Sequence, residues 1–240
     1  MRKKIRKIDP YTKYARVMPS VVAMLLPCVS FVCLLLQLPQ LQSAFASWNI
    51  LAKCITLFLP LSVVFGSCGY AMREFFRSIS KILFQYQFFK EDETAMPTTD
   101  LLVYRCSSFS ENYIKKIAEK IKCDFGLSLR GKQEQEFNEK EARKEIANAV
   151  QLIRNVTRED KILLQYNIQF GFCRNLMGGL VVAVFLSLTM IIVALVNNIE
   201  LTILLILLTL KILMFLLAWF LLKYRGRAYA RQLFVAYITK

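Results

Sequence analysis

Lys211 is the residue whose chemistry stands out, because it sits in the apolar run Leu208-Thr209-Leu210-Lys211-Ile212-Leu213-Met214-Phe215. An ammonium at the centre of a membrane helix costs roughly 2.5–3.5 kcal/mol on insertion scales, and the apolar stretch on to Leu222 is too long for easy snorkelling. Such a lysine either faces the bundle interior or an aqueous path, lining a pore or restraining one, or packs beside Thr209 or Ser187 in an oligomer interface. Glu200 is the carboxylate nearest in the apolar tract, but about 16 Å of helix rise separates it from Lys211, so Lys53 near the same outer end suits it better. Arg105, Arg130 and Arg158 are candidate ligand or partner contacts, since a guanidinium fork matches phosphate bidentately. Histidine is absent, which removes the usual general base at neutral pH and the commonest metal ligand. The seven cysteines are scattered without a CxxC, and no Gly-rich phosphate loop or nucleophile with an evident base occurs. These residues predict no catalytic set, no metal site and no cofactor.

The elements that must position Lys211 are apolar. Hydrophobic residues make up 56% of the 240, and charge is segregated by region. Four spans fit: Met18–Leu38, Ile50–Tyr70, Leu176–Val196 and Leu201–Leu222, each near the ~20 residues that cross a ~30 Å hydrocarbon core. The net charge is +15, and its excess flanks these runs. Residues 1–16 carry seven Lys/Arg against Asp9, and the tail adds Lys223, Arg225, Arg227, Arg231 and Lys240 without an acid. Block 71–174 is nearly balanced, with eighteen basic and fifteen acidic residues. Membrane flanking therefore explains the charge better than nucleic acid does, and no sequence-specific DNA binding is expected. The connectors Pro39–Asn49 and Asn197–Glu200 lack Lys and Arg, which places both termini and the middle block in the cytoplasm. Ala44-Phe45-Ala46 resembles a signal-peptide cleavage site, but the preceding basic region and apolar run are both long for a signal.

The expected fold is an all-α membrane protein: four transmembrane helices as two hairpins, with a helical cytosolic domain between spans two and three. The boundaries read as a basic N-terminus (1–17), a first hairpin (18–70), the cytosolic block (71–174), a second hairpin (175–222) and a basic tail (223–240). Ser62 and Gly66, one turn apart, are candidate helix-packing positions in span two. Within the block, an amphipathic extension runs from Arg73 to Phe89, and a break follows at Glu91–Thr99. A helix capped by Ser110 continues to Lys122 with Tyr113, Ile114, Ile117 and Ile121 in its stripe. Asp124–Asn138 reads as a loop, and Glu139–Asn155 as a helix with Ala142, Ile146, Val150 and Ile153 in its stripe. Thr99 or Asp100 suits the cap of a short helix, and Thr157 the cap of the helix leading to span three. Along that approach Gly171, Gly178 and Gly179 weaken helix, so together with Arg174 and Asn175 they form a candidate bendable coupling joint. The plainer role for Arg174 is headgroup anchoring among Tyr166, Phe170 and Phe172.

The order Pro97-Thr98-Thr99, Leu101-Leu102, Arg105, then Thr157-Arg158, then Asn167, Gly171-Phe172 and Arg174-Asn175-Leu176 resembles a bacterial family of paired-hairpin membrane proteins without an assigned enzymatic activity. The layout also resembles the transmembrane effectors of retrons, the anti-phage units of reverse transcriptase and non-coding RNA. Cys173 departs from the family pattern, standing where relatives carry a second basic residue before Asn175. The resemblance implies a multi-pass effector in the bacterial inner membrane, homo-oligomeric among lipids and triggered by a reverse transcriptase–RNA complex or another cytosolic signal. Permeabilised membrane and abortive infection would follow. A non-conducting scaffold or sensor, or a small-ligand-gated channel, is the alternative.

Overall fold

The computed structural model describes residues 9–85 and 94–240, and none of them lies in a strand. The basic run before Asp9, Phe88–Phe89 and the start of the expected break at Glu91 fall outside the described residues. Among the described residues four helical stretches are long and apolar enough to cross a membrane: Thr12–Gln37, Ile50–Ala71, Lys161–Val196 and Thr202–Ile238. The chain divides into two compact units. The first holds the described residues up to Ser80 together with Gly171–Leu221, and the second holds those of Lys81–Phe170 with Leu222–Lys240.

In the first unit a π-helical turn, Thr12–Val17, leads into α1 (Met18–Gln37). Leu38 leaves the helix with ψ 128°, the extended backbone expected of a residue before proline. The connector that follows contains a short helix, α2 (Pro39–Ala44). Asn49 then caps α3 (Ile50–Ala71), its side chain accepting from the Ala52 amide at 2.8 Å. A further helix, α4 (Arg73–Ser80), buries Phe76 and Ser80. α1 packs against α3. A close approach falls at Gly69, where a Cβ would stand 2.7 Å from the Ser20 carbonyl oxygen.

The long helices α9 (Lys161–Val196) and α10 (Thr202–Ile238) contribute their apolar parts to this unit. They are joined by a tight turn in which Asn198 adopts φ 52°, a left-handed conformation that asparagine tolerates. Ala194, Ile199 and Leu204 close that turn over Leu34 of α1. Outside, the unit is hydrocarbon. Val63 on α3 is 67% exposed and Phe220 on α10 also 67%, among many Leu, Ile and Val around them. Water would leave that surface unsatisfied, whereas lipid suits it. The architecture is that of a membrane-embedded, multi-pass protein. With 36 and 37 residues, α9 and α10 each rise about 55 Å. That is far more than a ~30 Å hydrocarbon core requires.

The second unit is a small helical domain with its own core. Its elements are α5 (Pro97–Asp100), α6 (Glu111–Phe125), α7 (Lys132–Phe137) and α8 (Glu139–Val156), with the first turns of α9 and the last turns of α10. Ser110 caps α6 by accepting from the Tyr113 amide at 3.3 Å, and Gly126 ends it at φ 68°. Ile114, Ile117 and Ile121 of α6 meet Ile146, Val150 and Ile153 of α8 in one buried cluster. Several local expectations are corrected. The stretch 124–138 is not all loop, since Glu134 accepts from the Gly131 amide at 2.9 Å and starts α7. The residue capping α9 is Asp160, whose carboxylate accepts from the Leu163 amide at 2.6 Å, while the Thr157 hydroxyl turns back to donate to the Ile153 carbonyl. Segment 223–240 is also more than a basic tail: Ala230, Leu233, Phe234 and Tyr237 fill the same core.

Arg143 fastens α5 to α8. Its guanidinium donates to Asp100 at 2.8 Å, to Glu139 at 2.7 Å and to the Thr94 carbonyl at 2.9 Å. Asp100 is thus an ion-pair partner rather than a helix cap. Burial works against the charge on Arg143, but the hydrogen bonds to Asp100 and Glu139 more than offset it and hold its pKa above the ordinary value. Arg143→Ala is expected to lower stability by about 1–2 kcal/mol, modest because both carboxylates stay well exposed. Thermal melting of the full-length protein in detergent measures this. Arg143→Lys should recover only part of the loss, since an ammonium cannot reproduce the planar fork.

Candidate functional site

Lys211 is turned into the first unit, 2% exposed, on the α10 face that meets α1. Its ammonium donates to the Ser30 hydroxyl at 2.6 Å, and Ser30 is itself 1% exposed. The Cys33 thiol, one turn further along α1, lies within electrostatic reach. Thr209 and Ser187, expected beside Lys211 in an oligomer interface, each donate their hydroxyl within their own helix, to Leu205 and Ala183, and within the chain it is Ser30 that accepts from Lys211. Among the described residues no ion pair joins Glu200 to Lys53, and no carboxylate acts on Lys211. An ammonium has three donors. One buried hydroxyl is a meagre counterpart for it, and intramembrane cations kept in that condition mark functional positions more often than stabilising ones.

The glycines of α9 gather around the other end of the unit. The helix runs unbroken through all three, so their use is close approach rather than bending. A Cβ on Gly178 would stand 2.1 Å from the Phe76 carbonyl oxygen of α4, and one on Gly179 would stand 2.4 Å from the Ala23 Cβ of α1. A Cβ on Gly171 would stand 3.0 Å from both the Ala15 Cβ and the Tyr11 hydroxyl. Hydrogen bonds lock the same seam. The Ser80 hydroxyl donates to the Arg174 carbonyl at 2.6 Å, and the buried Asn175 amide donates to the Ala15 carbonyl. The joint candidates Gly171, Arg174, Asn175, Gly178 and Gly179 thus share one surface of α9, against which α4, α1 and the π-helical turn are fitted.

The remaining candidates separate. A Cβ on Gly66 would make only an ordinary contact with Val21 at 3.9 Å, and the Ser62 hydroxyl donates within its own helix to Leu59. The tight position on α3 is Gly69, which lies one further turn along and which the Ser62–Gly66 spacing did not reveal. Arg130 pairs with Glu145 at 3.0 Å, whereas Arg105 and Arg158 are exposed to solvent. These three arginines do not assemble into one site among the described contacts. Comparison of the chain with family models, with curated proteins and with solved structures returned no match.

Proposed function

We propose that this chain is an inner-membrane effector of bacterial anti-phage defence. Its four spans form two hairpins, both termini lie in the cytoplasm, and the helical second unit receives the signal. A reverse transcriptase–RNA complex or another cytosolic trigger biases that unit, the spans of several copies rearrange, and the membrane becomes permeable. The observation that carries this reading is Lys211, buried on α10 with the Ser30 hydroxyl as its hydrogen-bond acceptor. A cation held so poorly in an apolar bundle is metastable, and rearrangement that hydrates it relieves the cost. Continuity supports the coupling: α9 and α10 each belong partly to both units without a break in helix. The resemblance to retron effectors supplies the biological context.

Uptake of a membrane-impermeant dye during phage infection tests it. Cells expressing the wild-type chain with its neighbouring genes are expected to admit dye. Lys211→Met should cut that uptake by about tenfold or more, a ratio equal to ~1.4 kcal/mol in the resting-to-open equilibrium. Equal uptake in both would remove Lys211 from the mechanism, and impermeability under every trigger would remove the mechanism itself.

A further inference from the structure

Three arginines converge at the end of the first unit where α1 begins and α3 finishes. Arg16 comes from the π-helical turn, Arg77 from α4 and Arg174 from α9. Glu74 is the carboxylate among them, 3.5 Å from Arg16 and 3.2 Å from Arg77. Arg174 lies within electrostatic range of both other arginines and hydrogen-bonds with the Tyr11 hydroxyl. Among the described residues, Arg16 and Arg77 thus share a single carboxylate. Glu74 is also the wetter partner, its side chain 53% exposed against 26% and 28% for Arg16 and Arg77. The Nε donors of Arg16 and Arg77 are buried and meet no acceptor among the described residues.

A fold does not gather like charges and strand their donors without some return. Buried polar groups lacking a protein partner call for an explanation, and an ion with several acceptor oxygens is one. A carboxylate offers two oxygens, one already provided by Glu74 to each of its arginines. A free phosphate or monoester offers three or more unbridged oxygens and a phospholipid's diester two, each able to take a guanidinium donor beyond those that Glu74 supplies. Arg16 stands two residues before Met18, and Arg174 two residues before the apolar run at Leu176, so the cluster sits at headgroup depth if these helices span a bilayer.

We propose that Arg16, Arg77 and Arg174, with Tyr11, form a binding site for a phosphate-bearing anion. The same chemistry is offered by the headgroup of an anionic phospholipid and by a soluble phosphate. The site does not depend on the permeabilising activity, so it stands or falls separately from that reading.

The test uses the full-length protein in neutral detergent, probed with phosphatidylglycerol, phosphatidylcholine and inorganic phosphate. Lipid retention in native mass spectrometry and thermal stabilisation are the readouts. Wild-type protein is expected to retain phosphatidylglycerol over phosphatidylcholine and to melt higher in its presence. Arg16→Gln and Arg77→Gln should each weaken that binding about tenfold, while Lys13→Gln, an exposed cation nearby, should leave it unchanged. Stabilisation by phosphatidylglycerol alone assigns a lipid headgroup, and stabilisation by inorganic phosphate as well assigns a soluble ligand. Should the glutamine variants fail to fold, Arg77→Lys keeps the charge and is expected to bind more weakly because the fork is gone. No stabilisation of the wild type by either anion overturns the proposal. Equal losses in Lys13→Gln and Arg77→Gln, or undiminished affinity in Arg77→Lys, overturn it too, because binding would then be diffuse attraction.

Discussion

Gly178→Leu is expected to destabilise the protein by about 3 kcal/mol or more, and to do so without touching any charged group. The obstruction is backbone: the first added carbon would stand 2.1 Å from the Phe76 carbonyl oxygen, well inside contact distance. A carbonyl in mid-helix cannot swing aside as a side-chain tip can. Either α4 must lift away from α9 or α9 must shift, and both moves break the Ser80 hydrogen bond to the Arg174 carbonyl. Even Gly178→Ala should be costly, which is unusual because alanine ordinarily gains on glycine inside a helix. Gly66→Ala is the control, since its added carbon would make only an ordinary 3.9 Å contact with Val21. Thermal melting in detergent should rank the variants wild type and Gly66→Ala above Gly178→Ala, with Gly178→Leu lowest. Resistance to trypsin in membranes should follow the same order.

Lys211 and Ser30 are expected to respond with opposite signs. Lys211→Met removes a buried ammonium and replaces it with an apolar chain of similar length, so the melting temperature should rise, by the equivalent of about 2 kcal/mol. Ser30→Ala leaves the ammonium in place and deletes its acceptor, so stability should fall by about 1–3 kcal/mol. The double variant should melt near Lys211→Met, because without the ammonium the Ser30 hydroxyl has little left to do. A residue that lowers stability while it is required for dye uptake is the pattern expected of a functional site. If Lys211→Met instead melts lower than wild type, the ammonium is a net stabiliser of the bundle and the metastable-cation argument fails.

The long helices were legible because length, apolarity and caps are local properties. Asn49 before Ile50 and Ser110 before Glu111 announce helix starts from side chains that act within three residues. Lys211 was legible as an anomaly, since a lysine between Leu210 and Ile212 needs no structure to look costly. Its partner was not, because Ser30 is 181 residues away and one hydroxyl among several in the spans. The α9 glycines were visible only as helix-weakening residues, since the surfaces that require them, Phe76 and Ala23, come from other elements. The arginine cluster was hidden for the same reason: Arg16, Arg77 and Arg174 are each an ordinary flanking residue until the fold joins them. The core role of the C-terminal segment did carry a signal. Ala230, Leu233, Phe234 and Tyr237 repeat at three- and four-residue spacing, the stripe of a buried helix face, but Arg225, Arg227, Arg231 and Lys240 in the same segment equally fit a basic tail that flanks a span.

The membrane partition of the two units is best tested by labelling thiols in spheroplasts with a membrane-impermeant maleimide. The second unit carries its own reporters, the exposed Cys106 and Cys123, and Asn198→Cys adds one at the turn between α9 and α10. The expected result is labelling at Asn198→Cys in intact spheroplasts, with Cys106 and Cys123 reacting only after lysis. Labelling of Cys106 and Cys123 before lysis, with Asn198→Cys protected, would put the second unit outside the cell and contradict the orientation on which a cytosolic trigger depends.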